Sequence, residues 1–346
     1  MESVLVTGGL GYIGSHTTVK LIEKGYHVII MDNQSNSNIG VLDRIEQITG
    51  VRPNYYNGDV RDLSSIISLM DKYDFESVIH FAAYKSVSSS INSPIQYYEN
   101  NVGGTLNLLQ AMHVKGVKNL IFSSSCTVYG EPDSYPVTEL TPTQRPKTPY
   151  GNSKLLCEHI LQDSASQVNS IALRYFNPIG NHESGLIYED PKGTPENLMP
   201  YITGVIEGKY DELSVWGDDY NTPDGSAIRD YIDVNDLADA HVKALDVVGY
   251  KPHDVINVGT GNGVSVLEII EAFEDEGVEI PYKIHPRRDG DIEKIYGDIK
   301  KAEKIMGWVP ERDIKDSVRS IIKKIEKKNK ESIIWKTLLK IKLEGI

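Results

Sequence analysis

The feature that most restricts the fold lies at the start of the chain. Val4-Leu5-Val6-Thr7 is a short apolar run of strand character, and Gly8-Gly9-Leu10-Gly11-Tyr12-Ile13-Gly14 follows it directly. An amphipathic segment continues to Lys24, and the next apolar run, His27-Val28-Ile29-Ile30-Met31, ends on Asp32. Strand, glycine turn, helix, strand and acid in that order predict a βαβ unit that receives a dinucleotide. Gly8 permits the tight turn, Gly11 lets the backbone approach a pyrophosphate, and Gly14 lets helix and strand pack closely. The helix N-terminus then offers free N–H groups and a partial positive charge to the phosphates. A carboxylate at the end of the second strand suits a ribose hydroxyl and disfavours a 2′-phosphate, so NAD is expected over NADP.

The α/β alternation continues for most of the chain and predicts a doubly wound parallel sheet of Rossmann type. Residues 53–57 read as an edge strand and Gly58-Asp59-Val60 as a turn where a carboxylate and backbone meet adenine. Residues 62–73 read as a helix with Leu63, Ile66, Ile67 and Met70 at core spacing. Strands are expected at 77–81, 117–123 and 170–175, with a single helix over 97–113 that contains Asn100 and Asn101. The strand at 117–123 runs into the hydroxyl cluster Ser123-Ser124-Ser125-Cys126-Thr127, at the sheet edge where α/β proteins bind ligands. Residues 177–232 are rich in Gly, Pro and Asn and predict loops gathered over the strand ends. The expected organisation is a NAD-binding domain over 1–176, with 233–258 returning to its sheet. A smaller mixed substrate domain is expected over 177–232 and 259–328, followed by an atypical basic amphipathic tail over 329–346. From Lys323 onward the chain carries eight lysines, with Ile333, Ile334, Trp335, Leu338, Leu339, Ile341 and Leu343 between them. A helix packed on the protein or on a second copy is favoured there over a membrane-surface helix.

Composition narrows the classes of function. The formal net charge is −13, which argues against general nucleic-acid binding. It also requires any anionic substrate to meet a locally basic site, for which Arg229 and the Arg287-Arg288 pair are candidates. No apolar run approaches the roughly 20 residues of a membrane span. The N-terminus has no signal-peptide character. Two cysteines, Cys126 and Cys157, form no disulfide framework and suit a reducing, cytoplasmic setting. Both are expected as small buried apolar groups, and no metal site is expected.

The chemistry concentrates in Thr148-Pro149-Tyr150-Gly151-Asn152-Ser153-Lys154. Tyr150 and Lys154 are one helical turn apart, so phenol and ammonium point the same way. A cation beside a phenol pulls its pKa down from about 10, which would make a base usable near neutral pH. Tyr-x-x-x-Lys alone is common; its meaning comes from the glycine turn and the serine cluster around it.

Together these motifs resemble the extended short-chain dehydrogenase/reductases, over nearly all of residues 3–328. Thr7-Gly8 to Gly14, Ser125, Tyr150 and Lys154 match the general pattern. Narrower stretches resemble the nucleotide-sugar 4-epimerases within that family: Gly11-Tyr12-Ile13-Gly14-Ser15-His16, Arg174-Tyr175-Phe176-Asn177-Pro178, Glu189-Asp190-Pro191, Asn197-Leu198-Met199-Pro200 and Arg229-Asp230-Tyr231. Among cofactor contacts the resemblance implies Gly8, Gly11, Tyr12, Ile13, Gly14, Asp32, Asn33, Asn36, Ser37, Asp59, Val60, Phe81, Ala82, Ala83, Lys85, Asn100, Ser123, Tyr150, Lys154 and Tyr175, all toward NAD. Toward a UDP-sugar it implies Lys85, Ser125, Thr127, Tyr150, Phe176, Asn177, Asn197, Leu198, Arg229, Arg288, Asp291 and Ile295. Arg229 and Arg288 would meet the diphosphate or uridine, and Ile295 the far end of the sugar.

The implied reaction is inversion of carbon 4 in UDP-glucose and UDP-galactose, in either direction, through a transient 4-keto sugar with NAD tightly bound. Ser125, Tyr150 and Lys154 would be its catalytic residues, and a homodimer through the helices near 97–113 and 150–167 is implied as well. The chain departs from the family at the cofactor-covering loop, where Ala83, Ser86, Ser88 and Ser89 replace the usual Gly, Ala, Gly and Glu. It departs again at Ser226-Ala227-Ile228, where Thr-Gly-Val is usual. Neither departure touches a proton- or hydride-handling residue. Competing readings are an epimerase acting on UDP-N-acetylglucosamine or on both sugar pairs, a nucleotide-sugar 4,6-dehydratase, and a silent NAD-binding regulator. A dehydratase typically has Asp-Glu after the threonine, whereas Thr127 is followed by Val128-Tyr129.

Overall fold

The computed structural model describes residues 2–193, 195, 197–288 and 290–328. The tail over 329–346 lies outside the described residues, as does Asp289.

Seven parallel strands make the central sheet: β1 (Ser3–Thr7), β2 (His27–Asp32), β3 (Asn54–Asn57), β4 (Ser77–His80), β5 (Asn119–Ser123), β6 (Asn169–Tyr175) and β7 (His253–Val258). Their spatial order is β3-β2-β1-β4-β5-β6-β7, with Thr7 in register with both Met31 and His80. The order reverses between β1 and β4, and a crevice opens beyond the strand ends at such a switch point. Side chains alternate across the sheet. Val4, Val6, Ile30 and Ile121 enter one buried cluster with Val19, Leu21, Leu237 and Ala240 of the helices on that face. Leu5, Ile29, Val78 and Leu120 enter another with Ile66, Leu108, Cys157 and Leu161 on the opposite face. Burial of both faces explains why the strands read as continuous apolar runs.

The turn after β1 is built on close approach. Gly8 has φ +71, and a Cβ there would lie 2.8 Å from the Ala82 nitrogen. A Cβ on Gly14 would lie 2.3 Å from the Gly8 carbonyl oxygen. Any side chain at Gly14 would push helix Tyr12–Glu23 off the strand.

The single helix expected over 97–113 is instead segmented. A short helix, Pro94–Tyr97, passes into a π turn over Tyr98–Gly103, and the α-helix resumes as Gly104–Lys115. π turns are rare and concentrate at functional sites. This one buries both Asn100 and Asn101, at 4% and 3% exposure. Asn101 accepts from the Tyr84 N–H (2.8 Å) and donates to the Tyr84 carbonyl (3.0 Å) and the Ser153 hydroxyl (3.0 Å). It thereby ties the cofactor-side loop to the helix carrying Tyr150.

The region expected to be loops over 177–232 has its own core. Met199 and Ile202 of helix Leu198–Ile206 pack with Leu213, Val215, Ile269, Phe273, Val318 and Ile321. Small sheets of mixed direction complete it, including Ile228–Arg229 between Val264–Ser265 and Lys294–Ile295. The Tyr12 phenol donates to the Gly180 carbonyl at 2.5 Å, joining the glycine turn to this smaller part.

Candidate active site

A cavity of about 360 Å³ runs along the ends of the sheet strands. At one end, helix Tyr12–Glu23 begins at Gly11 with no side-chain cap and no acidic residue in its first turn. Its leading N–H groups and its dipole therefore remain available to an anion. Asp32 is held beside them: Oδ2 accepts from the Leu10 N–H at 3.1 Å, and Oδ1 accepts from the Gln34 N–H and the Ser37 hydroxyl, both at 2.8 Å. Three donors orient the carboxylate and leave lone pairs free to accept from a ribose hydroxyl. Asn33 donates to Asp59 at 2.8 Å, and the Arg61 guanidinium beside Asp59 holds that carboxyl well below its usual range. The uncapped helix end, the glycine-rich turn and the oriented acid fit a dinucleotide such as NAD.

The cavity continues past Phe81, Ala82, Ala83 and Lys85 to Ser123, Ser125, Cys126, Thr127, Tyr150, Lys154 and Tyr175. Thr148 caps the helix Pro149–Asp163 by accepting from the Gly151 N–H at 3.3 Å, and Pro149 opens its first turn. Tyr150 and Lys154 therefore project from its first turns toward the strand ends. Ser125 Oγ accepts from the Thr127 N–H at 3.2 Å and from the Thr127 hydroxyl at 3.0 Å. With both of those contacts accepted, the Ser125 proton is available to donate into the cavity.

The electrostatics correct one expectation. Burial pushes the Tyr150 phenol up to about 12, with a hydrogen bond from Ser125 opposing the rise. Lys154 is pushed down to about 8 by burial, with Cys157 and Glu158 opposing. The ammonium is not directed at the phenol, as the helical spacing suggests it would be. It donates to the Ser123 backbone carbonyl at 2.6 Å and lies over the Phe122 ring. Desolvation outweighs a charge that is directed across to β5. Tyr175 shares a hydrogen bond with the Ser123 hydroxyl, and burial raises its phenol too. Cys126 reaches the cavity, but burial raises its thiol to about 12, so it offers no thiolate near neutral pH.

Asn36, Val60 and Asn100 line the cofactor end, and Phe176, Asn177, Asn197 and Leu198 the other. Four expected substrate residues do not line this cavity. Arg229 donates to the Ile228 carbonyl at 2.8 Å. Arg288 donates to Asp291 at 3.0 Å and lies over the Trp216 ring. Ile295 is 3% exposed and packs in a cluster with Cys126, Val128, Tyr129, Leu155 and Phe176. It shares that cluster with Phe176 and Cys126, which do line the cavity.

Sequence reasoning missed the strap over the cavity. Glu189, which entered the reading only as part of a signature, accepts from Lys85 and, at 3.0 Å, from Asn197. Lys192 donates to the Gln34 carbonyl at 2.7 Å and the Ser35 carbonyl at 3.3 Å, and its N–H meets Asn36 at 3.2 Å. Tyr188 lies between the cations of Arg44 and Lys324. The stretch Glu189-Asp190-Pro191, read as a family signature, was the only signal available, and it carried no partner.

Residues 5–321 match the family model described as GDP-mannose 4,6 dehydratase. Among curated relatives, a UDP-glucose 4-epimerase of Yersinia pestis is 49% identical over 316 residues, spanning 90% of this chain and 94% of that protein. Among solved structures, the UDP-glucose 4-epimerase of Bifidobacterium longum in complex with NAD+ and UDP superposes with a TM-score of 0.91. It is 49% identical and covers 94% of this chain and 98% of its own. The Stenotrophomonas maltophila UDP-glucose-4-epimerase, with bound NAD and formylated UDP-arabinopyranose, superposes at 0.92 with 46% identity, covering 96% and 100%.

Proposed function

The chain belongs to the UDP-glucose 4-epimerase family, and from that premise we propose how its own residues carry out the reaction. The protein is an NAD-dependent isomerase that interconverts UDP-glucose and UDP-galactose at carbon 4. The glycine turn, Asp32 and its neighbours would hold NAD, which would supply the hydride acceptor and donor for carbon 4. Tyr150, as the phenolate that the nearby Lys154 charge would favour, takes the 4-hydroxyl proton as the carbonyl forms and, then a phenol, gives that proton back when the 4-keto sugar is reduced on its other face. Ser125 donates to that oxygen and stabilises its developing charge. Lys154, anchored on the Ser123 carbonyl, supplies positive charge and a donor for a ribose hydroxyl. Asn177, Asn197 and Leu198 hold the UDP portion, so the sugar can turn over without leaving. Arg229, Arg288 and Asp291 extend that grip beyond the cavity. The carrying observation is that Ser125, Tyr150 and Lys154 share one cavity with the glycine turn and Asp32.

The family model bears a dehydratase description, and one observation separates the two chemistries. Elimination of water needs a further acid and base beside Ser125. The two positions after Thr127 are Val128 and Tyr129, both fully buried, and Tyr129 is engaged with Asn257 at 2.6 Å. Neither supplies that pair. Purified protein incubated with UDP-galactose and no added NAD should yield UDP-glucose. A 4-keto-6-deoxy product would replace this reading by the dehydratase. Cavity-bound NAD with no turnover of either sugar would replace it by a silent binder.

The exposed apolar side chains Leu106 and Leu156 support self-association through the helices Gly104–Lys115 and Pro149–Asp163. Sedimentation at micromolar concentration tests it, and a monomer there overturns it.

A further inference from the structure

Directly behind the reacting groups lies a buried polar cluster that the mechanism above does not use. The Ser124 hydroxyl donates to Glu158 Oε1. Arg174 holds the same carboxylate, with Nε 3.0 and 3.2 Å from its two oxygens and a terminal nitrogen 2.5 Å from Oε2. Ser124 is fully buried, and the Arg174 and Glu158 side chains are 6% and 3% exposed. Arg174 also packs over the Tyr129 ring, whose phenol donates to Asn257 of β7 at 2.6 Å.

The placement of the three residues is informative. Ser124 precedes Ser125, Arg174 precedes Tyr175, and Glu158 stands one helical turn beyond Lys154. They come from the end of β5, from β6 and from helix Pro149–Asp163. Those are the elements whose ends carry Ser123 and Ser125, Tyr175, and Tyr150 with Lys154. A buried ion pair adds little net stability over well-packed apolar groups, because desolvation offsets its attraction. Its directional geometry is what an apolar pair cannot reproduce: a planar guanidinium on a carboxylate permits one relative placement of strand and helix. The third contact, from Ser124, fixes the serine turn against both.

We propose that Ser124, Glu158 and Arg174 are positioning residues, which hold Ser125, Tyr150 with Lys154, and Tyr175 in mutual register. This rests on the epimerase reading above. Shifts well below an ångström at reacting groups change the rate of the chemical step more than binding, since the UDP contacts lie elsewhere in the site.

The test uses the holoenzyme and begins with wild-type turnover of UDP-galactose, so failure of the underlying reading shows at once as an inactive wild type. Ser124→Ala removes one hydroxyl and leaves the ion pair intact. It should lower kcat by about tenfold or more, with KM within about twofold and melting temperature nearly unchanged. Glu158→Gln should lower kcat further and also destabilise, because it strands the Arg174 charge. The double variant Glu158→Gln with Arg174→Met removes that charge. Its melting temperature should recover while kcat stays low. Wild-type kcat in Ser124→Ala, or kcat that returns with stability in the double variant, overturns the proposal. If neither Glu158 variant folds, Ser124→Ala alone decides.

Discussion

The Lys154 ammonium sits 2.6 Å from the Ser123 backbone carbonyl, so the strand end, not the neighbouring phenol, sets where this cation points. Burial lowers the Lys154 ammonium to about 8 and raises the Tyr150 phenol to about 12. Lys154→Met removes a positive charge from the cavity wall, and the phenolate loses whatever support that charge gives. The ascending limb of the kcat/KM profile should therefore move to higher pH, with turnover at pH 7 reduced by about 10- to 100-fold. Profiles measured from pH 6 to 10 decide it. Superimposable curves would remove Lys154 from proton handling.

Tyr150→Phe deletes the proton carrier while keeping its ring. Turnover should fall by roughly 10² to 10⁴-fold, and UDP affinity by calorimetry should stay within about twofold of wild type. Near-normal turnover would require another base, and no other residue named in this cavity offers one with the Ser125 hydroxyl beside it.

Ile295 backs Phe176 and Cys126 instead of lining the cavity, so its influence on substrate choice is transmitted. The wild type should prefer the plain UDP-hexoses, with weak activity on UDP-N-acetylglucosamine. Ile295→Ser should relax Phe176 and raise the ratio of N-acetylated to plain turnover, while costing about 2–5 kcal/mol of stability. Ile295→Tyr should overpack the cluster and lower that ratio. Unchanged ratios in both variants, with only the stability altered, would make Ile295 a core residue.

Three of the four buried histidines among the described residues predict the acid limit. Burial holds His16 and His80 down to about 3 and His241 to about 4. His80 is lodged between the hydroxyls of Thr7 at 2.6 Å and Thr105 at 3.2 Å. The unfolded chain takes up protons near 6.5, so between there and the folded values it binds more protons than the native state. Stability is therefore complete above about pH 6.5 and is lost as pH falls toward 3 to 4, at about 1.4 kcal/mol per unit per histidine. Melting temperature measured from pH 8 to 4 should fall, and His16→Gln should flatten the slope. A flat wild-type curve would count against it.

Local, periodic features were readable in the sequence. Gly8 to Gly14 and Asp32 declared their geometry because strand, turn and helix are contiguous, and Tyr150 with Lys154 declared theirs through helical spacing. Direction and partnership were not readable. Spacing placed Lys154 on the same face as Tyr150 but said nothing of the Ser123 carbonyl arriving from another strand. Lys85 and Glu189 meet across 104 residues of sequence, a distance over which no pattern carries information. The π turn at Tyr98–Gly103 escaped because a shift from i+4 to i+5 hydrogen bonding leaves the apolar periodicity nearly intact. Ile295 was identified as a specificity residue, and its retreat behind Phe176 depends on packing between segments far apart in the chain.

Lys192 bridges to the carbonyls of Gln34 and Ser35 beside the cofactor end of the cavity, so a seated dinucleotide should leave more slowly than its other contacts alone would allow. Loss of that contact should hasten escape, a first-order process whose rate does not depend on protein concentration. A preparation would age with a single half-life, and Lys192→Met would shorten that half-life without altering the initial rate.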